Sequence, residues 1–184
     1  YYLYHRNKDD KYIQYLFSSD EEKDKYLYTK MHSFKIKARD GLEMVSYMSL
    51  PRWLDNDGRL EQEIPFVLLV HGGPNYRDSW SFDVLHQFLS NRGYGVLSGN
   101  YRGSVGFGKS FLFKGFGQWG AKMQEDLLDA VDWLIKNKLA NKEGIAIMGG
   151  SYGGYATLVG MTKTPDLFAA GISICGPSNL VTFL

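Results

Sequence analysis

Apolar and polar positions change their spacing midway along the chain. In the first segment, YYLYHRNKDDKYIQYLFSS, aromatic and β-branched residues stand on either side of the polar Asn7-Lys8-Asp9-Asp10, which predicts a β-hairpin and has no helical period. The polar run SDEEKD (19–24) reads as a solvated connector or a short helix start and marks the domain boundary. SFKIKA and LEMVSYMSL then flank Arg39-Asp40-Gly41, where Asp-Gly supplies the positive φ of a tight turn, so a second hairpin is expected. Pro51 and the polar stretch 54–63 form a loop. After it, buried strands alternate with amphipathic helices. FVLLV (66–70) is a strand, 82–91 a helix stopped by Gly93, and YGVLSG (94–99) a second strand. A glycine-rich loop, NYRGSVGFGKSF, leads to a helix over 122–137, whose Met123, Leu127, Val131, Leu134 and Ile135 share one face, with acids early and lysines late to suit the helix dipole. IAIM (145–148), a turn at Ser151, a helix over 152–162 and the strand AAGISIC (169–175) complete the pattern. Hairpin strands followed by repeated strand–helix units predict an α/β layer structure, a mostly parallel sheet with helices on both faces.

Composition narrows what such a fold could do. The 184 residues carry 21 basic and 20 acidic side chains, a net charge of +1 spread along the chain, so there is neither a basic stripe for nucleic acid nor an acidic tail. The longest strongly apolar run, 64–70, is far below the roughly 20 residues of a membrane-spanning helix. Cys175 is the only cysteine, which excludes an intrachain disulfide and fits a reducing compartment; a cytoplasmic location is the expectation. The chain opens YYLYHR and stops at NLVTFL within an apolar run, and on that basis it is expected to be a piece of something longer.

The chemistry concentrates in IAIMGGSYGGY (145–155). Gly149-Gly150-Ser151-Tyr152-Gly153 matches G-x-S-x-G between a predicted strand and a predicted helix, as a nucleophile elbow requires. The flanking glycines have a steric reason: the serine holds a strained turn, and side chains beside it would collide with the neighbouring strand and helix. At the start of a helix, backbone N–H groups and a partial positive charge favour an oxyanion. His71-Gly72-Gly73-Pro74 follows the strand FVLLV, where this architecture puts its second oxyanion donor. The backbone N–H groups of Gly73 and Tyr152 are therefore assigned to the oxyanion hole, with Ser151 as nucleophile.

A serine hydroxyl needs a base, and all four histidines, His5, His32, His71 and His86, precede Ser151. The elbow architecture orders its triad serine, acid, histidine, so His71 is expected to shape its loop through ring hydrogen bonds, and the other three to be structural or superficial. Asp166, the only acid after Ser151, sits in a Pro-Asp turn one strand too early for the triad acid. Base and acid are expected to lie in sequence beyond these residues.

HGGP, NYRGSVGFG (100–108) and GGSYGGY, in this order and spacing, resemble the prolyl oligopeptidase family of serine peptidases, most of all its acylaminoacyl peptidase and dipeptidyl peptidase branch. Gly117-Gln118-Trp119-Gly120, 126–133 and GPSNL (176–180) fit the same branch. The resemblance, over 27–184, implies the N-terminal part of an α/β-hydrolase catalytic domain, broken off before the triad acid and histidine. It makes residues 1–26 the end of a preceding β-propeller and its linker. It further implies a serine peptidase that releases aminoacyl, acylaminoacyl or dipeptidyl units from short peptides, without cofactor or metal, and with the rest of its own polypeptide as partner. Some relatives carry a tyrosine donor at the position of His71; Arg102 is expected to support the loop and not to touch substrate. The isolated chain is expected to be inactive and prone to self-association. Two other readings remain open: an esterase or lipase, which elbow and HGGP loop would serve equally, and a non-catalytic split-gene fragment acting as an interaction module.

Overall fold

The computed structural model describes residues 1–7, 11–18 and 25–183. Strands β1 (Tyr2–His5) and β2 (Tyr12–Tyr15) pair antiparallel, Tyr2 opposite Tyr15, as their aromatic alternation predicts, and form a two-stranded sheet of their own. Cross-strand stacking of His5 on Tyr12, centroids 4.0 Å apart, supports that pairing. Most of the expected turn (8–10) and the expected connector (19–24) lie outside the described residues.

Six further strands form one sheet. The second predicted hairpin is β3 (Met31–Lys37) and β4 (Glu43–Ser49), antiparallel around a turn in which Gly41 takes φ 88. β5 (Ile64–Val70), β6 (Gly95–Gly99), β7 (Ala140–Gly150) and β8 (Ala170–Ile174) follow, in the order β3-β4-β6-β5-β7-β8. From β6 to β8 every pairing is parallel; β4 joins β6 antiparallel. The central strands read as continuous apolar runs because helices cover both faces. Leu68, Leu97, Ile145 and Ile147 pack with Met123, Leu127, Val131 and Leu134 of α3 (Lys122–Lys136) and Ala156 of α4 (Tyr152–Lys163) in one core. Ser98, next to Leu97, points to the opposite face and meets His86 of α1 (Val84–Ser90). So α1 covers one face, and α3 and α4 the other.

The main departures from the predicted elements are the start of β7 and two short helices. β7 begins at Ala140 and not at Ile145, because Ala140 pairs with Ile64 before a register shift, which lets the polar 141–143 run along the strand exposed. Within the glycine-rich loop, Lys109–Phe113 forms a short helix, α2, which buries Phe111. A last short helix, α5 (Leu180–Phe183), follows β8.

The topology prepares one crevice. From β5 the chain crosses to β6 through α1 on one face, while from β7 it crosses to β8 through α4 on the other. Loops leaving β5 and β7 therefore diverge, and the gap between their carboxyl ends is the switch point at which open α/β sheets bind ligands.

Candidate active site

Both motifs singled out in the sequence meet at this gap. Ser151 follows directly on β7 at φ 55, ψ −119, a conformation that costs a non-glycine residue about 1–3 kcal/mol and that its neighbours hold in place. Its N–H donates to Ile174 O at 2.9 Å, tying the turn to β8, and its carbonyl accepts Tyr155 N–H at 3.0 Å to start α4. The residue is exposed. The glycines around it are required by packing: a Cβ on Gly149 would stand 2.6 Å from Val70 O, and one on Gly154 2.8 Å from Gly176 Cα. Only a strand and helix without side chains there can approach this closely.

The HGGP turn lies against the elbow. A Cβ on Gly72 would be 3.1 Å from Gly150 O and 3.3 Å from Ser151 Cβ. Gly73 has φ 115, and its bond to Pro74 is cis. Neither the Gly73 N–H nor the Tyr152 N–H, at the first position of α4, donates to an acceptor among the described residues. Tyr152 anchors the elbow from below: its side chain is 1% exposed, and its ring packs edge-on against Trp119 at 4.7 Å and beside Tyr101 at 5.4 Å. Burial pushes its phenol upward from the ordinary range, and the hydroxyl, buried without a partner among the described residues, stays protonated.

His71 is locked into the support of its own loop. Nδ1 stands 2.8 Å from Gly72 O, Nε2 stands 3.0 Å from Ser104 Oγ, and the ring stacks on Tyr101 with centroids 4.4 Å apart. Tyr101 also donates its hydroxyl to His71 O at 2.8 Å. Burial lowers the His71 pKa to about 4, against a smaller upward pull from Gly72, so the ring is neutral at pH 7 with both nitrogens occupied. His86 is placed the same way on the other face, between Ser49 at 3.0 Å and Ser98 at 2.7 Å, and burial brings it to about 4 as well. His32 pairs with Asp55 at 2.8 Å, and His5 meets Gln14 on the first hairpin. All four histidines are thus engaged elsewhere, and no base hydrogen-bonds the Ser151 hydroxyl among the described residues. Asp166 is exposed in the turn before β8.

Arg102 is 3% exposed. Its Nε and Nη2 fork onto Asp126 of α3 at 2.8 and 2.7 Å, its own N–H donates to Asp126 Oδ2 at 2.8 Å, and Nη1 reaches Asp40 in the β3–β4 turn at 2.9 Å. The Asp126 bond holds the guanidinium above its ordinary range, while burial pushes the Asp126 carboxyl up against the pull of Arg102. Loop, helix and hairpin turn are joined by this one side chain.

Sequence reasoning did not reach three groups beside the site. Ser104, Asn75 and Asp78 lie in loops whose contacts span 22 to 33 positions, and no local spacing announces such partners. Asp78 lies in a polar cavity of about 240 Å³ with Ser98, Asp83 and His86; its Oδ2 is buried without a partner among the described residues. Burial, helped by Asp83 and opposed by Arg77, raises its pKa to about 7. Among the described residues no cluster of three or more His, Cys, Asp or Glu could hold a metal ion.

Known proteins share both pattern and fold. The sequence profile of the prolyl oligopeptidase family matches residues 80–184. The chain is 55% identical over 152 residues to dipeptidyl aminopeptidase BIII of Pseudoxanthomonas mexicana, a match covering 82% of this chain and 22% of that protein. It is 42% identical over 200 residues to dipeptidyl peptidase family member 6 of Caenorhabditis elegans, covering 100% of this chain and 27% of the relative. Among solved structures, Pyrococcus horikoshii acylaminoacyl peptidase superposes with a TM-score of 0.79 at 27% identity, over 95% of this chain and 27% of that one. The chain spans about a quarter of the length of the relatives it matches.

Proposed function

Since this chain belongs to the prolyl oligopeptidase family, we propose that the whole protein is a serine peptidase that releases aminoacyl, acylaminoacyl or dipeptidyl units from short peptides through an acyl-enzyme on Ser151. The observation that carries the reading is the pairing, at one switch point, of an exposed serine at φ 55 with two backbone donors that have no acceptor among the described residues, Gly73 N–H and Tyr152 N–H. In this reading Ser151 Oγ attacks the scissile carbonyl and gives up its proton to a base. The carbonyl oxygen takes negative charge and is held by the two N–H groups. Collapse expels the amine, which receives the proton from the same base. Water then repeats the sequence and frees the acyl group. With all four histidines engaged elsewhere, the base is assigned to residues outside these 184, and so is the acid that orients it.

Residues 27–184 are read as part of the catalytic domain and 1–26 as the end of a β-propeller that limits access to short peptides. Support for the latter is that β1 and β2 form a sheet separate from the main one. The test compares kcat/KM of the whole protein for short peptide anilides with that for medium and long acyl esters. Preference for the peptides, lost in Ser151→Ala, is expected. A tenfold preference for the esters, about 1.4 kcal/mol of transition-state binding, would make the protein an esterase or lipase instead.

A further inference from the structure

The turn that carries Gly73 is tied to a neighbouring loop by the side chain of the residue directly after the HGGP motif, Asn75. A Cβ on Gly73 would stand 2.6 Å from Asn75 N and 2.9 Å from Tyr76 N, so the chain folds back over Gly73 within two residues. Asn75 Nδ2 donates to Gly103 O at 2.9 Å, and one residue later Tyr76 O accepts Val105 N–H at 3.0 Å. The glycine-rich loop at the other end of these bonds is itself fixed. Gly103 N–H donates to Phe111 O at 3.2 Å, and the preceding Arg102 is forked on Asp126. On its other side the turn is in contact with the elbow through Gly72. Gly73 is thus suspended between two fixed points, the elbow and the Asn75 tether, while its own N–H has no acceptor among the described residues.

Resting on the assignment of Gly73 to the oxyanion hole, we propose that Asn75 is a positioning residue: its carboxamide, by tying the 72–76 turn to Gly103, fixes where the Gly73 N–H points. The hydrogen bond to Gly103 O turns the amide toward the loop and leaves Asn75 no need to touch substrate. Without it, the turn keeps the Tyr76–Val105 bond and the elbow contact, so the fold survives, but the donor is free to swing. A transition-state donor displaced by a fraction of an ångström loses much of its value, because its strength lies in being aimed before charge develops.

The experiment uses the whole protein with Asn75→Ala and Asn75→Asp, which both remove the donor, the second at nearly constant volume. Substrates are a short peptide ester and its thiono counterpart, whose C=S group accepts hydrogen bonds poorly and draws little from an oxyanion hole. Asn75→Ala is expected to lower kcat on the oxygen ester by about tenfold with KM within about twofold, leave the thiono ester nearly unchanged, and so collapse the ratio between them. Should Asn75→Ala fail to fold, as judged by its melting curve, Asn75→Asp carries the same comparison. A rise in KM at constant kcat would make Asn75 a substrate contact, and equal losses on both esters a merely structural residue; either result, or no change, overturns the proposal. Ser151→Ala runs in parallel. If it kills turnover while the Asn75 variants behave as wild type, only this inference falls; if it leaves turnover intact, the nucleophile assignment fails and the positioning role with it.

Discussion

At the scale of single residues, the loops around Ser151 hold groups in states they would not choose in water. Asp78 is the clearest. With Oδ2 buried and without a partner among the described residues, its carboxyl prefers to keep a proton up to about pH 7, whereas in the unfolded chain it loses that proton near the ordinary 3.8. The folded pKa is the higher one, so the stability linked to this group is fully present below pH 3.8 and is lost as pH rises through 7. Asp78→Asn removes the titration and keeps the shape. Thermal melts should therefore show the variant gaining on wild type as pH rises from 4 to 8, by about 4 kcal/mol at pH 8. His71 and His86, whose lowered pKa values make stability fall as pH drops from 6.5 toward 4, are common to both proteins and cancel in the difference. A gain that does not vary with pH would refute the buried charge as its cause.

At the scale of elements, the site is supported by ties between segments far apart in sequence, the strongest at Arg102. It satisfies a fully buried carboxylate on α3 and reaches the β3–β4 turn as well. Arg102→Met should cost about 3–5 kcal/mol in urea denaturation, because Asp126 would be left buried and unpaired. Arg102→Met with Asp126→Leu should recover most of that loss, since the charge is then gone from both sides. If the double variant is as unstable as the single one, the pair does more than neutralise itself. These ties also explain what could be read from the chain. The order of strands and helices was legible because periodicity and the glycine stops are local signals, and the elbow was legible because glycine on both sides of Ser151 follows from contact with Val70 and Gly176. The five-residue α2 was hidden by the glycines before it, and the start of β7 by polar residues that the register shift leaves exposed. The partners of Ser104, Asn75 and Asp126 depend on which loops the sheet order brings together, and no window of sequence contains that.

At the scale of the whole molecule, the β5 and β7 ends turn a strand order into a site. The sheet does not finish neatly at its other edge: β8 is exposed along its length, with Ile172 and Ile174 about half exposed, and beyond it Val181 and Phe183 of α5 are uncovered too. In the function proposed above, Ser151, aimed by this fold, is the nucleophile of a peptidase whose base comes from outside the 184 residues. The most direct test of this assignment is to label the whole protein and the 184-residue chain with a fluorophosphonate and locate the adduct by mass spectrometry. The whole protein should carry one adduct, on Ser151, absent in Ser151→Ala, while the isolated chain, with no base to take the hydroxyl proton, should label far more slowly. An adduct on another residue, labelling that persists in Ser151→Ala, or an isolated chain that labels as fast as the whole protein would contradict it.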